Sequence, residues 1–311
     1  MALPSLLDRR LVIVTGKGGV GKSSVSAALA LLAARAGKKV LVCEANTQER
    51  IAPLLGAAPS GAEMRKIREN LWSVDVSPPV AMKEYGVMVL RFRALYEALF
   101  ENRIMRYFLR AVPGLAEVVI LGKVLWEAKL RGKDGRHRWD LVVLDAPATG
   151  HAVQLLRVPS VLVDTVPGGP LRSDAEWMKA LLVDPRHTGV VIVTLPEEMP
   201  VNEAIELDQQ VREVLGMPRA ALVVNAMPET RFTPAERERL APLEDLPPPL
   251  GPAARAATLQ ELRAEAAERE LARAREALDL PTTVLPLLST PAWGPEAISA
   301  LADAIEAGGR R

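Results

Sequence analysis

The stretch "LVIVTGKGGVGKSSVSAALALLAARAGKKVLV" (residues 11–42) decides the fold. A short apolar run at 11–15 ends in a cluster of glycines, and a second apolar run follows at 39–43. Apolar runs of this length predict buried strands, and the alanine- and leucine-rich segment at 22–36 predicts a helix that Gly37 closes. A strand, a helix and a strand joined by short connections are typical of a parallel α/β unit.

The rest of the chain continues this alternation. Further apolar strands are expected at 140–145, 189–194, 220–225 and 282–287, with helical patterns between them. The sequence therefore predicts an α/β fold, an open and mostly parallel sheet with helices on both faces. We interpret residues 1–311 as a single domain that carries a helical insertion at about 81–132 and a helical segment at about 233–278. The latter has a rough apolar stripe of Leu259, Leu262, Ala266 and Leu271.

Composition narrows the classes of function. The 311 residues are 49% hydrophobic, and 39 Lys and Arg against 38 Asp and Glu leave a net charge of +1. This balance argues against nucleic acid as a partner, because such partners usually require a basic face. No apolar run approaches the ~18 residues of a membrane span, and the N-terminus lacks the pattern of a signal peptide. We therefore expect a cytoplasmic protein with no stable membrane insertion.

The glycine cluster carries a phosphate-binding motif. Residues 16–23 fit G-x-x-x-x-G-K-[ST] between a predicted strand and a predicted helix. Glycines let backbone N–H groups face phosphates, and the helix N-terminus adds partial positive charge. Lys22 is expected to reach the β- and γ-phosphates, and the Ser23 hydroxyl to bind Mg²⁺. The predicted binding residues are Gly16, Lys17, Gly18, Gly19, Val20, Gly21, Lys22, Ser23 and Ser24.

Lys17 is a second lysine inside this loop. In a single subunit it would crowd Lys22, so we expect it to reach the nucleotide of a second subunit, as an arginine finger does in trans. The alternative is an exposed lysine of a basic loop.

Two motifs resemble a known family. The pattern K-G-G-x-G-K-[ST] resembles that of the deviant Walker A ATPases, which dimerise around two nucleotides. The segment "DLVVLDAPATGHAVQLLRVP" (140–159) resembles the switch II segment of ArsA/Get ATPases, the arsenite-pump and tail-anchored-protein-targeting family. That family has Asp-Thr-Ala-Pro-Thr-Gly-His where this chain has Asp-Ala-Pro-Ala-Thr-Gly-His at 145–151.

The resemblance spans nearly the whole chain and implies ATP and Mg²⁺ as cofactors. Asp145 would hold Mg²⁺ through a water molecule, and Asn225 would contact the adenine unless it is an ordinary turn residue at a strand end. His151 is either part of the switch or a surface histidine. The 81–132 insertion, rich in Met and Leu, either exposes a groove for an apolar helical client or packs on itself.

The chain also departs from that family. Arsenite-pumping members bind metalloid through three cysteines, whereas this chain has only Cys43, so we expect no arsenite sensing. Residues 228–280 have no cysteine, so we expect no structural zinc between subunits. The family aspartate after the second strand falls on Asn46, and an amide cannot accept a proton. Glu44 is expected either to act in its place through water or to be a carboxylate without a catalytic part.

These features predict a dimeric, Mg·ATP-driven conformational switch of the ArsA/Get type that acts on a protein client and hydrolyses ATP slowly. The predicted catalytic residues are Lys17, Lys22, Glu44, Asn46 and Asp145, and Ser23 and Asp145 are the metal-binding pair. The dimer partner is a second copy or a related ATPase. Two alternatives stay open: a ParA/MinD-type positioning ATPase, and a nucleotide-binding interaction module with little or no hydrolysis.

Overall fold

A computed structural model describes residues 3–45, 49–61, 63–76, 115–290 and 292–308. Asn46 and most of the predicted insertion at 81–132 lie outside these ranges.

One eight-stranded sheet organises the chain in the order β3-β4-β2-β5-β1-β6-β7-β8. All neighbouring strands pair in parallel except β3 and β4, which pair antiparallel. The strands are β1 (Leu11–Gly16), β2 (Val40–Glu44), β3 (Arg65–Arg68), β4 (Leu71–Asp75), β5 (Leu141–Ala148), β6 (Thr188–Thr194), β7 (Arg219–Met227) and β8 (Thr282–Pro286). The predicted open, mostly parallel sheet is confirmed.

Helices cover both faces of the sheet. They are α1 (Lys22–Arg35), α2 (Ile51–Leu54), α3 (Leu115–Lys129), α4 (Thr149–Thr165), α5 (Pro170–Val183), α6 (Glu198–Gln209), α7 (Pro234–Leu240), α8 (Leu250–Leu278) and α9 (Pro295–Gly308). One core cluster lies under α1, α2 and α9, and the other lies under α3 to α6 and α8. None of the helices in the described ranges is long and apolar enough to cross a membrane.

Helix α1 is buried almost all round, which explains its composition. Every residue from Val25 to Ala34 is buried, because α1 packs between the sheet and α9. The small side chains of alanine and serine allow close packing on two sides of the helix. An amphipathic pattern with one apolar face would place polar side chains against one of these two surfaces. Gly37, with φ +81°, ends the helix, and its N–H donates to the Ala34 carbonyl at 3.0 Å.

Two expectations about secondary structure require correction. Edge strand β3, "RKIR", was not anticipated, because its charged side chains hide the strand pattern while protecting the sheet edge. In α8, Leu271 is buried but Leu259 and Leu262 are exposed. The face that packs is rich in alanine, with Ala254, Ala264, Ala267 and Ala274 buried, so the helix lies too close to its neighbours for a stripe of leucines.

Candidate functional site

The carboxyl ends of the parallel strands meet at one edge of the sheet and form the candidate site. The phosphate loop follows the central strand β1, which lies between β5 and β6. Glu44, at the end of β2, pairs in register with Asp145 of β5 on one side and with Asp75 of β4 on the other. In doubly wound sheets, ligands bind at this edge.

Backbone geometry explains two glycines of the loop. Gly21 has φ +91° and immediately precedes α1, and a Cβ there would lie 2.2 Å from Asn225 Nδ2. A Cβ on Gly16, with φ +154°, would lie 2.2 Å from the Val193 carbonyl oxygen. Both positions exclude a side chain, because the loop lies against Val193 of β6 and Asn225 of β7.

Lys22 and Ser23 open α1 at the site. The Lys22 Nζ donates to the Lys17 carbonyl at 2.8 Å, so it folds back over the loop. Burial lowers the pKa of Lys22, and the nearby Asp145 acts in the opposite sense. Lys22 is therefore a partly desolvated cation beside the glycine loop, and a cation in this position favours the binding of phosphate.

Asp145 lies under the loop as a buried carboxylate. It accepts hydrogen bonds from Ser23 Oγ at 2.7 Å and from Ser26 Oγ at 2.9 Å. Burial raises the pKa of Asp145, and those two hydrogen bonds and the charge of Lys22 oppose the rise. Asp145 was expected to end its strand, but β5 continues to Ala148. Asp145 therefore lies within the strand, and its side chain reaches Ser23 and Ser26 at the start of α1.

Lys17 turns away from Lys22. Its Nζ forms an ion pair with Glu203 Oε1 at 2.7 Å, and about a third of each side chain is exposed. Glu203 lies on α6 and was not predicted, because an acidic residue on a helix surface does not stand out in a sequence. Helix α6 is in turn held to α8, because Arg273 donates to Asn202 Oδ1 at 2.6 Å.

Asn225 supports the loop from β7. Its Nδ2 donates to the Val20 carbonyl at 2.9 Å, and the side chain is buried. The predicted contact with adenine stays a prediction, since the amide is here a support for the loop. His151, the alternative switch residue, is exposed in the first turn of α4.

A cavity of about 500 Å³ opens beside the loop. Its wall combines the start of α1 with the residues before and inside α2 and with an exposed tryptophan from the loop before α9. The lining residues are Gly19, Gly21, Lys22, Ser23, Ser24, Glu49, Arg50, Pro53, Leu54 and Trp293. Over the described ranges, no group of three or more His, Cys, Asp and Glu side chains has an arrangement suited to a metal ion.

Glu44 is a buried acid whose two carboxylate oxygens differ in their hydrogen bonds. Its Oε1 accepts from the backbone N–H groups of Arg50 at 2.7 Å and Ile51 at 3.1 Å, so it caps the start of α2. Its Oε2 is buried and has no hydrogen-bond partner in the described structure. Burial raises the pKa of Glu44 to about 7, the two backbone hydrogen bonds lower it, and Asp145 raises it further.

We expect Glu44→Gln to reduce the pH dependence of stability. A carboxyl whose pKa rises on folding from 4.5 to about 7 stabilises the fold fully below pH 4.5 and loses this contribution as pH rises through 7. Glutamine keeps an acceptor for both N–H groups and carries no charge. Between these two pH values, the free energy of unfolding of the wild type should fall by up to ~3 kcal/mol more than that of the variant. Urea unfolding at pH 4.5 and pH 8 checks this, and equal changes in both proteins would contradict it.

Comparison with known proteins identifies a family and several relatives. A family model described as "Anion-transporting ATPase" matches residues 9–167. The chain is 30% identical over 239 residues to "ATPase BagA" of Mycobacterium tuberculosis (strain ATCC 25618 / H37Rv), covering 75% of this chain and 69% of that protein.

Two other relatives carry names from the two branches that the motifs resemble. A "Putative arsenical pump-driving ATPase" of Prosthecochloris vibrioformis is 31% identical over 154 residues, covering 49% of this chain and 36% of the relative. "ATPase GET3" of Kluyveromyces lactis is 25% identical over 248 residues, covering 66% and 71%. With its phosphate loop supported by Asp145 and Asn225, the chain belongs to the anion-transporting, ArsA/Get-type ATPase family.

Proposed function

We propose that the chain is an ATP-hydrolysing switch that closes as a dimer around two nucleotides and so changes its affinity for a protein client. The observation that carries the proposal is the placement of the two loop lysines. Lys22 lies over the loop of its own chain, whereas Lys17 points outward to Glu203. An outward lysine is free to meet a second subunit, because only a part-exposed ion pair holds it.

Ser23 and Asp145 would hold Mg²⁺ with the nucleotide. A hydroxyl and a carboxylate whose oxygens lie 2.7 Å apart form an all-oxygen donor pair, which fits the preference of Mg²⁺. When bound, the ion would neutralise negative charge on the phosphates. Lys22 would bind the terminal phosphates, and the loop glycines would present their N–H groups.

The proposal excludes a thiolate metalloid site as the cargo site. The chain has one cysteine, Cys43, which is buried in β2, and burial raises the pKa of its thiol. A protonated thiol enclosed by a core does not bind soft metal ions. The proposed cargo is instead a protein, and the proposed client-binding segment is the 81–132 insertion. The proposed location of the chain is the cytoplasm.

The test combines phosphate release with light scattering on the full chain. A switch of this type should release phosphate from Mg·ATP at a steady state and should form or close a dimer with a non-hydrolysable ATP analogue. Phosphate release by a chain that stays monomeric would contradict the dimer. Nucleotide binding without release would favour the non-enzymatic interaction module.

Asn46 gives a prediction about the rate. The proposed hydrolysis lacks the family aspartate that receives or orients the proton of the attacking water, so turnover should be slow. Asn46→Asp should restore that group and raise kcat by up to ~100-fold, with little change in KM. Single-turnover phosphate release measures the step, and Thr47→Asp, one residue along, is the control for added charge. An unchanged rate in Asn46→Asp would show that another group positions the water.

A further inference from the structure

We infer that Arg50, the residue before α2, binds the terminal phosphates of the nucleotide in the cavity beside the phosphate loop. The inference rests on the proposed nucleotide-binding function and adds a second cation from the same chain. Arg50 lines the cavity together with Lys22 and Ser23. No part of the phosphate-loop motif includes it.

The backbone of Arg50 is fixed relative to the phosphate loop. Its N–H donates to Glu44 Oε1 at 2.7 Å, and Glu44 is buried at the end of β2. Glu44 in turn pairs in register with Asp145, which bonds to Ser23. These contacts connect Arg50, through the adjacent strands β2 and β5, to Ser23, which is one of the two proposed Mg²⁺ ligands. This assigns Glu44 a positioning role, separate from any part in proton transfer.

The guanidinium of Arg50 has no counter-ion among the side chains that the structure describes. Its neighbour Glu49 does not serve, because the Glu49 carboxylate accepts from the backbone N–H groups of Ser60 and Gly61, the latter at 2.8 Å. An exposed arginine that faces a phosphate cradle without a carboxylate partner is available to an anion.

Arg50 and Lys22 are two cations that line the same cavity. Like charges in a partly enclosed space repel each other more strongly than they would in open water. Arg50 and Lys22 therefore repel each other in the free chain. A triphosphate between them would convert this repulsion into two attractions.

The signature of this arrangement differs from that of a structural arginine. Arg50→Ala should leave the melting temperature of the nucleotide-free chain nearly unchanged, because a repulsion from Lys22 and an attraction to Asp145 are removed together. It should weaken binding of Mg·ATP by ~10- to 100-fold, which is the range for the loss of one hydrogen-bonded charge pair. Arg50→Lys should recover part of the affinity, since lysine keeps the charge but not the planar fork.

The experiment is calorimetry on the full chain with Mg·ATP and, separately, with inorganic tripolyphosphate. Arg186→Ala is the matched control, because it removes the same charge just before β6, at the opposite end of the strand from the loop. The inference requires Arg50→Ala to lose affinity for both ligands relative to that control. Loss for ATP alone would overturn it, since Arg50 would then contact the nucleoside.

Two further outcomes separate the inference from the proposed function. If Lys22→Ala loses ATP binding while Arg50→Ala stays within twofold of Arg186→Ala, only the role of Arg50 is wrong. If Lys22→Ala also binds normally, the nucleotide site itself is wrong. A lower melting temperature of nucleotide-free Arg50→Ala, with Arg50→Lys equally weak in binding, would make Arg50 a structural residue and overturn the inference.

Discussion

Replacing Lys22 with alanine should remove most of the affinity of the chain for Mg·ATP, by roughly 100-fold or more, equivalent to about 3 kcal/mol. The Lys22 Nζ is partly desolvated over the phosphate loop and donates to the Lys17 carbonyl at 2.8 Å. A cation held in this way has already lost water before the phosphates arrive, so its attraction to them is strong. Calorimetry on the full chain measures the loss.

Lys22→Met is the companion variant, because it keeps the apolar stem and removes only the charge. Both variants should melt at or above the temperature of the nucleotide-free wild type, since burial disfavours the charged amine. Added Mg·ATP should raise the melting temperature of the wild type but not of the variants. Unchanged ATP affinity in both Lys22→Ala and Lys22→Met would show that the nucleotide does not bind at this loop, and the assigned site would fail.

Lys17→Ala should keep nucleotide binding but lose closure of the dimer and nearly all hydrolysis. Groups supplied in trans to a phosphoryl-transfer site contribute about 10³- to 10⁵-fold in kcat, so a loss of that order is expected. The reason is the direction of the side chain, which leaves the cavity of its own subunit to meet Glu203. Light scattering and calorimetry on one preparation separate assembly from affinity.

Glu203→Ala is the matched variant for Lys17, because it removes the other half of the same ion pair. A part-exposed pair is worth ~0–1 kcal/mol, so freeing Lys17 should leave closure intact or favour it by up to about fivefold. Opposite effects of the two variants would be the expected pattern. Weaker nucleotide binding by a monomeric Lys17→Ala, without a change in assembly, would place Lys17 in its own site. If the chain is already a dimer without nucleotide, a distance probe must replace light scattering.

The central part of the fold could be predicted because its signals are local. The apolar run of β1, the glycines and the helix of α1 follow one another within residues 11–35, and each element is specified by its own residues. The strands at 141–148, 188–194 and 219–227 were found in the same way, from apolar runs that parallel strands buried on both faces require. The charged edge strand β3 lacks such a run and was missed.

The candidate site could be predicted only where the motif itself supplied it. Lys22, Ser23 and Asp145 were identified from loop spacing and a strand end, and the structure brings them together. The partners Ser26, Glu203 and Arg50 were not identified. Each is an ordinary residue in its own segment and gains significance only from a neighbour that the fold brings close.

The sequence by itself determined where the phosphate loop lies, because a glycine loop between a strand and a helix is encoded by consecutive residues and their backbone angles. Tertiary structure decided the rest. The order of strands places Glu44 beside Asp145, and the packing of α6 brings Glu203 to Lys17. It also places Arg50 and Lys22 in the lining of one cavity. These contacts join segments distant in the chain, and their energies depend on burial and on the direction of side chains, which no local pattern specifies.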